Sequence, residues 1–171
     1  MKVNNFRNIH FQQPFLWVAI LFVAAFTGAI LYRQTIALHQ RQAKVALLGA
    51  QVMPFDLERT THHFEALQDG GLQTVVVDNP VEVEQVKLIQ QHLQKETAKF
   101  QAGDFSDPAA IHGDTMPGLK HLMSGYRDLQ VEYTPLPDGG QIRYTAQHPN
   151  LVSALHDWFA AQRSDHGHHA R

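Results

Sequence analysis

The hydrophobic pattern changes character three times along this chain. Residues 14–32, PFLWVAILFVAAFTGAILY, run without an Asp, Glu, Lys, Arg or His. That run is long enough to cross a bilayer core, which takes roughly 20 apolar residues. Residues 33–50 then mix Ile36, Leu38, Val45, Leu47 and Leu48 with Arg, Gln and Lys, and no Gly or Pro interrupts them before Gly49. The pattern predicts one continuous helix over 14–48, with breakers at Gly49 and Pro54. Its juxtamembrane part, 33–52, reads as a stalk or as a helix that packs on a partner.

From about Met53 the period shifts to two. LQDGGLQTVVVDNP (67–80) aligns at a constant offset with LPDGGQIRYTAQHP (136–149), with Leu, Asp-Gly-Gly and Pro in register. Each copy reads as strand, Asp-Gly-Gly turn, strand, then a helix opened by Pro. This places strands at 60–67, 72–78, 129–135 and 141–147, and helices at 81–100 and 150–164. Between the copies lie an irregular stretch, 101–118, and a short helix, 119–125. The expected fold is α+β: a four-stranded antiparallel sheet from two duplicated ββα units, helices on one face, and one N-terminal transmembrane helix. The expected plan is a cytoplasmic tail (1–13), a transmembrane helix (14–32), the stalk (33–52), the soluble domain (53–165) and a His-rich tail (166–171).

The faces of these elements direct several polar groups inward. In the second hairpin Val131, Tyr133, Ile142 and Tyr144 share one face, and Glu132, Thr134, Arg143 and Thr145 the other. The same phase in the first hairpin buries His62, Phe64, Gln73 and Val75, so His62 takes the place of Val131. On the first helix Val86, Ile89, Leu93 and Phe100 form a stripe that includes Glu96, with His92 on its flank. On the second, Val152, Leu155 and Phe159 form the stripe; Gln162 corresponds to Glu96 and His166 to Phe100. Buried polar groups need partners. One reading is a polar network in which Glu96 accepts from His92 and Gln162 bonds backbone. The other is a site between the helices whose imidazoles and carboxylate act as metal ligands or as acid and base.

The connection 101–118 adds His112, Asp104, Asp107, Asp114 and Met116. In IHGDTMPG a His and a Met stand four apart, a pair that suits copper; Met116 is equally readable as an apolar plug. Calcium-loop spacing is absent. The tail DHGHHAR adds His166, His168 and His169, the last two reading as an exposed, disordered terminus. The candidate metal ligands are therefore His92, Glu96, His112, His166, His62 and Met116, and the candidate ions copper or zinc.

Composition narrows the partners. With 14 Lys plus Arg against 16 Asp plus Glu, nothing in the charge balance favours nucleic acid. The chain has no Cys, which removes disulfides, thiolate metal sites, lipoprotein anchoring and cysteine nucleophiles. Histidine is abundant at 12. No G-x-S-x-G, Walker, H-E-x-x-H or dinucleotide motif occurs, so no enzyme class is indicated. The apolar run is longer than a signal h-region and lacks a nearby small-x-small cleavage site, which favours a retained anchor over a removed one. Lys2, Arg7 and His10 precede it, and Arg33, Arg41 and Lys44 follow it. The short basic N-terminus favours a cytoplasmic start with the bulk of the chain exported.

HLQKETAKFQAGDFSDPAAIHGDTMPGL, LPDGGQIRYT and ALHDWFAAQRSDHG together resemble a family of small bacterial membrane-anchored or exported proteins of unknown function. Members carry automatic labels reading aspartate carbamoyltransferase. The carbamoyl-phosphate site of that enzyme uses a Ser-Thr-Arg-Thr loop in a much longer chain, and Arg59-Thr60-Thr61 does not supply it. The resemblance implies a bacterial origin and a shared domain. Two functions are expected: a periplasmic module that holds a transition metal or small ligand, or a non-catalytic accessory subunit. In the second, residues 14–32 sit in lipid and 14–48 pack on a membrane complex, with structural histidines.

Overall fold

The computed structural model describes residues 13–171, with side chains described from Trp17 onward. The expected tail with Lys2, Arg7 and His10 lies outside the described residues. The chain divides into two compact units, Met1–Gln40 and Arg41–Arg171. Helix α1, Gln13–Val52, runs through both ranges. Among the described residues one span, Trp17–Val52, is long and apolar enough to cross a membrane. In the first unit Trp17, Leu21, Phe22, Val23, Phe26 and Leu31 are all exposed, an apolar exterior suited to lipid.

The second unit begins inside α1, which corrects the stalk expected over 33–52. Val45 is buried there, and Arg41 pairs with Asp165. Gly49 does not break the helix. A Cβ at that position would lie 3.1 Å from Leu57 Cδ1, so the missing side chain lets Leu57 approach.

The sheet contains β1 (Thr60–Leu67), β2 (Gly70–Val77), β3 (Leu129–Leu136) and β4 (Gly139–Ala146), in the order β1-β2-β4-β3. All neighbours are antiparallel. The registers correspond between hairpins: Thr60 opposes Val77 as Leu129 opposes Ala146, and in the central pair Gly70 opposes Thr145 as Val76 opposes Gly139. This is a correspondence of geometry; duplication is a separate statement about descent.

Two helices cover one face of the sheet. Helix α2 (Val83–Gln101) packs mainly on β3 and β4, and α5 (Pro149–His166) mainly on β1 and β2. Each helix thus covers the hairpin of the other half, so neither ββα unit completes a core alone. Trp158, Tyr144, Phe159, Ile89, Leu93, Ile142 and Leu155 form the centre. The Trp158 ring meets Phe100, Phe105 and Tyr144 edge-on, a favoured aromatic geometry.

The stretch 101–118 is not irregular throughout. It holds α3, Ser106–His112, whose first turn is fixed by Asp104 Oδ1 accepting from Ser106 N. Its sequence, SDPAAIH, carries a Pro in the first turn and only Ile111 as a large apolar residue, so no apolar stripe announces it. Helix α4 is Leu119–Gly125, as the pattern predicts.

The tail is also ordered, correcting the expected disordered terminus. After a 3₁₀ turn at Gly167–His169, Ala170 bridges to His62 in parallel, Arg171 N donates to His62 O, and Phe64 N donates to Arg171 O. The tail covers the outer edge of β1, whose backbone groups otherwise lack partners.

The second Gly of each turn has a packing role. A Cβ on Gly71 would lie 2.4 Å from the Phe159 ring and 3.0 Å from Glu65 O; on Gly140 it would meet the Leu93 and Tyr133 side chains at 3.0 and 3.1 Å. Gly71→Ala is expected to destabilise the domain by about 1–3 kcal/mol through overpacking. Gly140→Ala should cost less, because its neighbours are side-chain ends that can shift. Denaturant unfolding of the two variants measures this; equal midpoints would reject the distinction.

Candidate functional site: a histidine-lined cavity

A cavity of about 50 Å³ lies against α2, α3, α5 and β1. Room for a water needs roughly 10–15 Å³ on this measure, so it accommodates a few waters or one small ligand. His62, His92, His112, His166, Glu96 and Gln162 line it together with Asp107, Trp158 and several apolar groups. Five of the six candidate residues read from the pattern therefore meet at one place. Met116 is buried in the hydrophobic core cluster and does not line the cavity, so it and His112 are not joined in one site.

Each element delivers its side chain for a local reason. His62 points inward because it lies between the inward positions Thr60 and Phe64 of β1. Glu96 lies on the buried stripe of α2, and His92 one turn earlier. His112 ends α3, where Gly113 at φ +90° turns the chain away. Gln162, Asp165 and His166 come from the last buried turns of α5.

The imidazoles are in mutual contact. The His62 and His166 rings stack with centroids 5.1 Å apart and planes at 5°, and His112 stands edge-on to His166 at 5.0 Å. His92 meets Phe55 edge-on at 5.6 Å. Burial pushes the pKa of His62 well below its ordinary value, reinforced by His166 and His92. It lowers His92 to about 4 and His166 to about 3 in the same way. These three rings are neutral near pH 7, the state in which imidazole binds metals.

His112 is oriented by a chain that the sequence pattern did not reveal. Its Nδ1 lies 2.8 Å from Asp165 Oδ2, and Arg41 binds both oxygens of Asp165, through Nε to Oδ1 and through Nη2 to Oδ2 at 2.6 Å. Burial opposes ionisation of Asp165, but the bonds from His112 and Arg41 outweigh it and hold the pKa below the ordinary value. An ionised Asp165 only accepts, so His112 Nδ1 carries a proton, and in the neutral tautomer this leaves the lone pair on Nε2. That Nε2 is buried and has no partner within the protein.

Glu96 has a different environment from the one expected. It makes no hydrogen bond to His92 among the described residues; Lys99 Nζ lies 3.6 Å from its Oε1, beyond hydrogen-bond reach, and bonds Asp107 instead. Burial first, then Asp107, push the Glu96 pKa up to about 8. Gln162 also departs from the expected backbone bond, its Oε1 being buried without a partner. Among the described residues six buried side-chain atoms lack partners, and five belong to residues lining this cavity: His62 Nδ1, Glu96 Oε1, His112 Nε2, Trp158 Nε1 and Gln162 Oε1. Orphaned polar atoms normally number a few per 100 residues, so five on one cavity wall make it the place where a water or ligand would find hydrogen-bonding partners.

The pattern missed Arg41, Asp165 and the role of Asp107. Asp165 sits one residue before His166 in the tail motif, but its partners are 53 and 124 residues away, and nothing local announces them. A further His/Glu group, Glu58 with His168 and His169, lies outside the cavity. No known protein family, curated protein or solved structure matches this chain.

The titrations have opposite signs. His62, His92 and His166 have folded-state pKa values below 6.5, so the unfolded chain binds more protons as pH falls through 6.5, and stability is lost toward about 4. Glu96 has a folded pKa near 8 against an ordinary 4.5, so the folded state holds the extra proton and loses stability as pH rises toward 8. Below pH 6.5 three groups oppose one; above it Glu96 acts alone among them. Thermal stability of the metal-free protein is expected to peak near pH 6.5, with an alkaline decline of up to about 1.4 kcal/mol per pH unit. Glu96→Gln should flatten that decline. A flat wild-type profile between pH 6.5 and 8 would reject a protonated Glu96.

Proposed function

We propose that this chain is a membrane-anchored module that binds a transition-metal cation in the histidine-lined cavity. The single observation that carries the reading is His112, whose Nδ1 is held by Asp165 and Arg41 while its buried Nε2 has no protein partner. Metal-binding histidines typically have this support: the carboxylate fixes the tautomer and makes the other nitrogen a better donor. His62, His166, His92 and Glu96 supply further lone pairs without adding net positive charge. A cation would displace the Glu96 proton and gain a carboxylate.

The donors are nitrogen and oxygen with no sulfur, which suits zinc or copper(II) better than copper(I). The cavity residues do not form a trio with ligand atoms all within 4.8 Å of one another. Binding in this reading therefore draws the imidazoles inward. In this reading the apolar run of α1 anchors the protein in a bacterial inner membrane, with the domain on the periplasmic side.

A second reading has its own observation. Ile36, Leu38 and Leu47 are exposed apolar residues of α1 beyond the 14–32 run, Leu47 at 70%. In an accessory subunit this surface would pack on a membrane protein complex, and the histidines would be structural.

Elemental measurement of untagged protein extracted from its native membrane separates the two. The metal-binding reading expects stoichiometric zinc or copper, lost in His112→Ala. It also expects thermal stabilisation by the ion, about 2.7 kcal/mol at 100 times Kd, in wild type and not in that variant. Glu96→Gln should leave the metal-free protein as stable or more so, yet weaken the shift. Metal-free native protein with no stabilisation by either ion, recovered in a stable complex through 14–48, would establish the accessory role instead.

A further inference from the structure

A second group of metal-binding side chains lies outside the cavity, where the C-terminal segment meets the start of β1. Glu58 stands in the 3₁₀ turn Leu57–Arg59, and His168 and His169 in the turn Gly167–His169. One ligand atom from each lies within 4.8 Å of the others. Glu58 Oε1 is 3.2 Å from His169 Nε2, and the two imidazole rings have centroids 3.7 Å apart. His168 and His169 are consecutive residues of a 3₁₀ turn, about 120° apart around its axis, so one side of the turn can present both. Gly167, at φ +58°, allows the turn that brings them to one side.

The surroundings suit a fixed ion. The His169 side chain is 14% exposed, while Glu58 at 73% and His168 face solvent, so the group is open to an ion from outside. An adjoining hollow of about 540 Å³, bordered also by His63 and Asp78, leaves space for water ligands. Two imidazoles and one carboxylate with open positions form a donor set that zinc accepts.

We infer that Glu58, His168 and His169 form an outer zinc-class cation site that fastens the C-terminal segment, bridged through Ala170, onto β1. The segment it fastens donates Arg171 N to His62 O and accepts Phe64 N on Arg171 O. His62 and Phe64 both line the cavity, and His166 immediately precedes Gly167. An ion at the outer site holds the backbone on which those side chains are mounted. The inference is independent of whether the cavity itself takes a metal.

The test titrates Zn²⁺ into the full chain in detergent and follows binding stoichiometry and amide hydrogen exchange. Wild type should bind one more equivalent than Glu58→Gln or the His168→Ala/His169→Ala double variant. With free zinc at about 100 times Kd, exchange at Phe64 and Arg171 should slow about 100-fold in wild type and not in either variant. His112→Ala should retain both effects, which separates this site from the cavity. A histidine tail binding zinc adventitiously would keep the equivalent in Glu58→Gln, and that result overturns the proposal. So does exchange at Phe64 and Arg171 that ignores zinc. Unchanged melting of the zinc-free variants confirms that they fold.

Discussion

The buried carboxylate of Asp165 is the junction on which the folded domain depends. It joins the last turn of α5 to α3 through His112 and to the end of α1 through Arg41. Three elements far apart in sequence thereby meet at one charge. Arg41 also donates to His112 O, so the guanidinium restrains both the backbone and, through Asp165, the ring of the same histidine. Removing one member of such a group leaves a buried charge uncompensated, whereas replacing all of it with apolar side chains can be neutral. The arrangement is therefore poorly explained by stability alone. What it achieves is orientation: a fixed tautomer and a fixed direction for Nε2.

The cavity carries the opposite energetic character from the core beside it. Trp158, Phe100, Phe105, Tyr144 and Phe159 form a network of aromatic contacts on one side. On the other, His62, Glu96, His112 and Gln162 hold atoms that no protein group satisfies. Each unsatisfied buried group costs about 1–3 kcal/mol relative to a satisfied one. Such a wall persists because the crossed packing of α2 and α5 over-determines the backbone around it. The charged groups nearby are each neutralised in place, Asp165 by Arg41 and Asp107 by Lys99, so the cavity presents lone pairs rather than net charge. That is a surface on which a cation gains strongly and an anion does not.

Much of this was legible from period and face. The span of β1, the short helix α4, the inward direction of His62 and the placement of Glu96 on the buried stripe all follow from local alternation and 100° spacing. The end of the stalk was not legible, because QRQAKVALLGA has the same helical pattern whether solvent or a domain lies beside it. What distinguishes the two is the Arg41–Asp165 pair, which spans 124 residues. The tail defeated composition for a similar reason. DHGHHAR reads as polar and unstructured, yet its backbone finds the free edge of β1, and edge pairing is indifferent to side-chain polarity. Met116 shows the converse failure: a spacing that suits a metal site is also the spacing of a core residue, and burial decided it.

The two halves of the fold match in geometry and differ in chemistry at the cavity. The two hairpins share register, turn and packing, and both turn glycines lie under a side chain from a covering helix, Phe159 over Gly71 and Leu93 over Gly140. A fold with matched halves would be content with matched cores. Instead the inward position filled by Val131 on β3 is filled by His62 on β1. The buried stripe of α2 carries Glu96 where α5 carries an amide, and the end of α5 brings a histidine and a carboxylate. His62, Glu96 and His166 stand where the other half has Val131, Gln162 and Phe100, and all three line the cavity; Asp165, which supports His112, stands where α2 carries Lys99. Four differences between the halves thus gather around one cavity, a distribution that matched cores do not require.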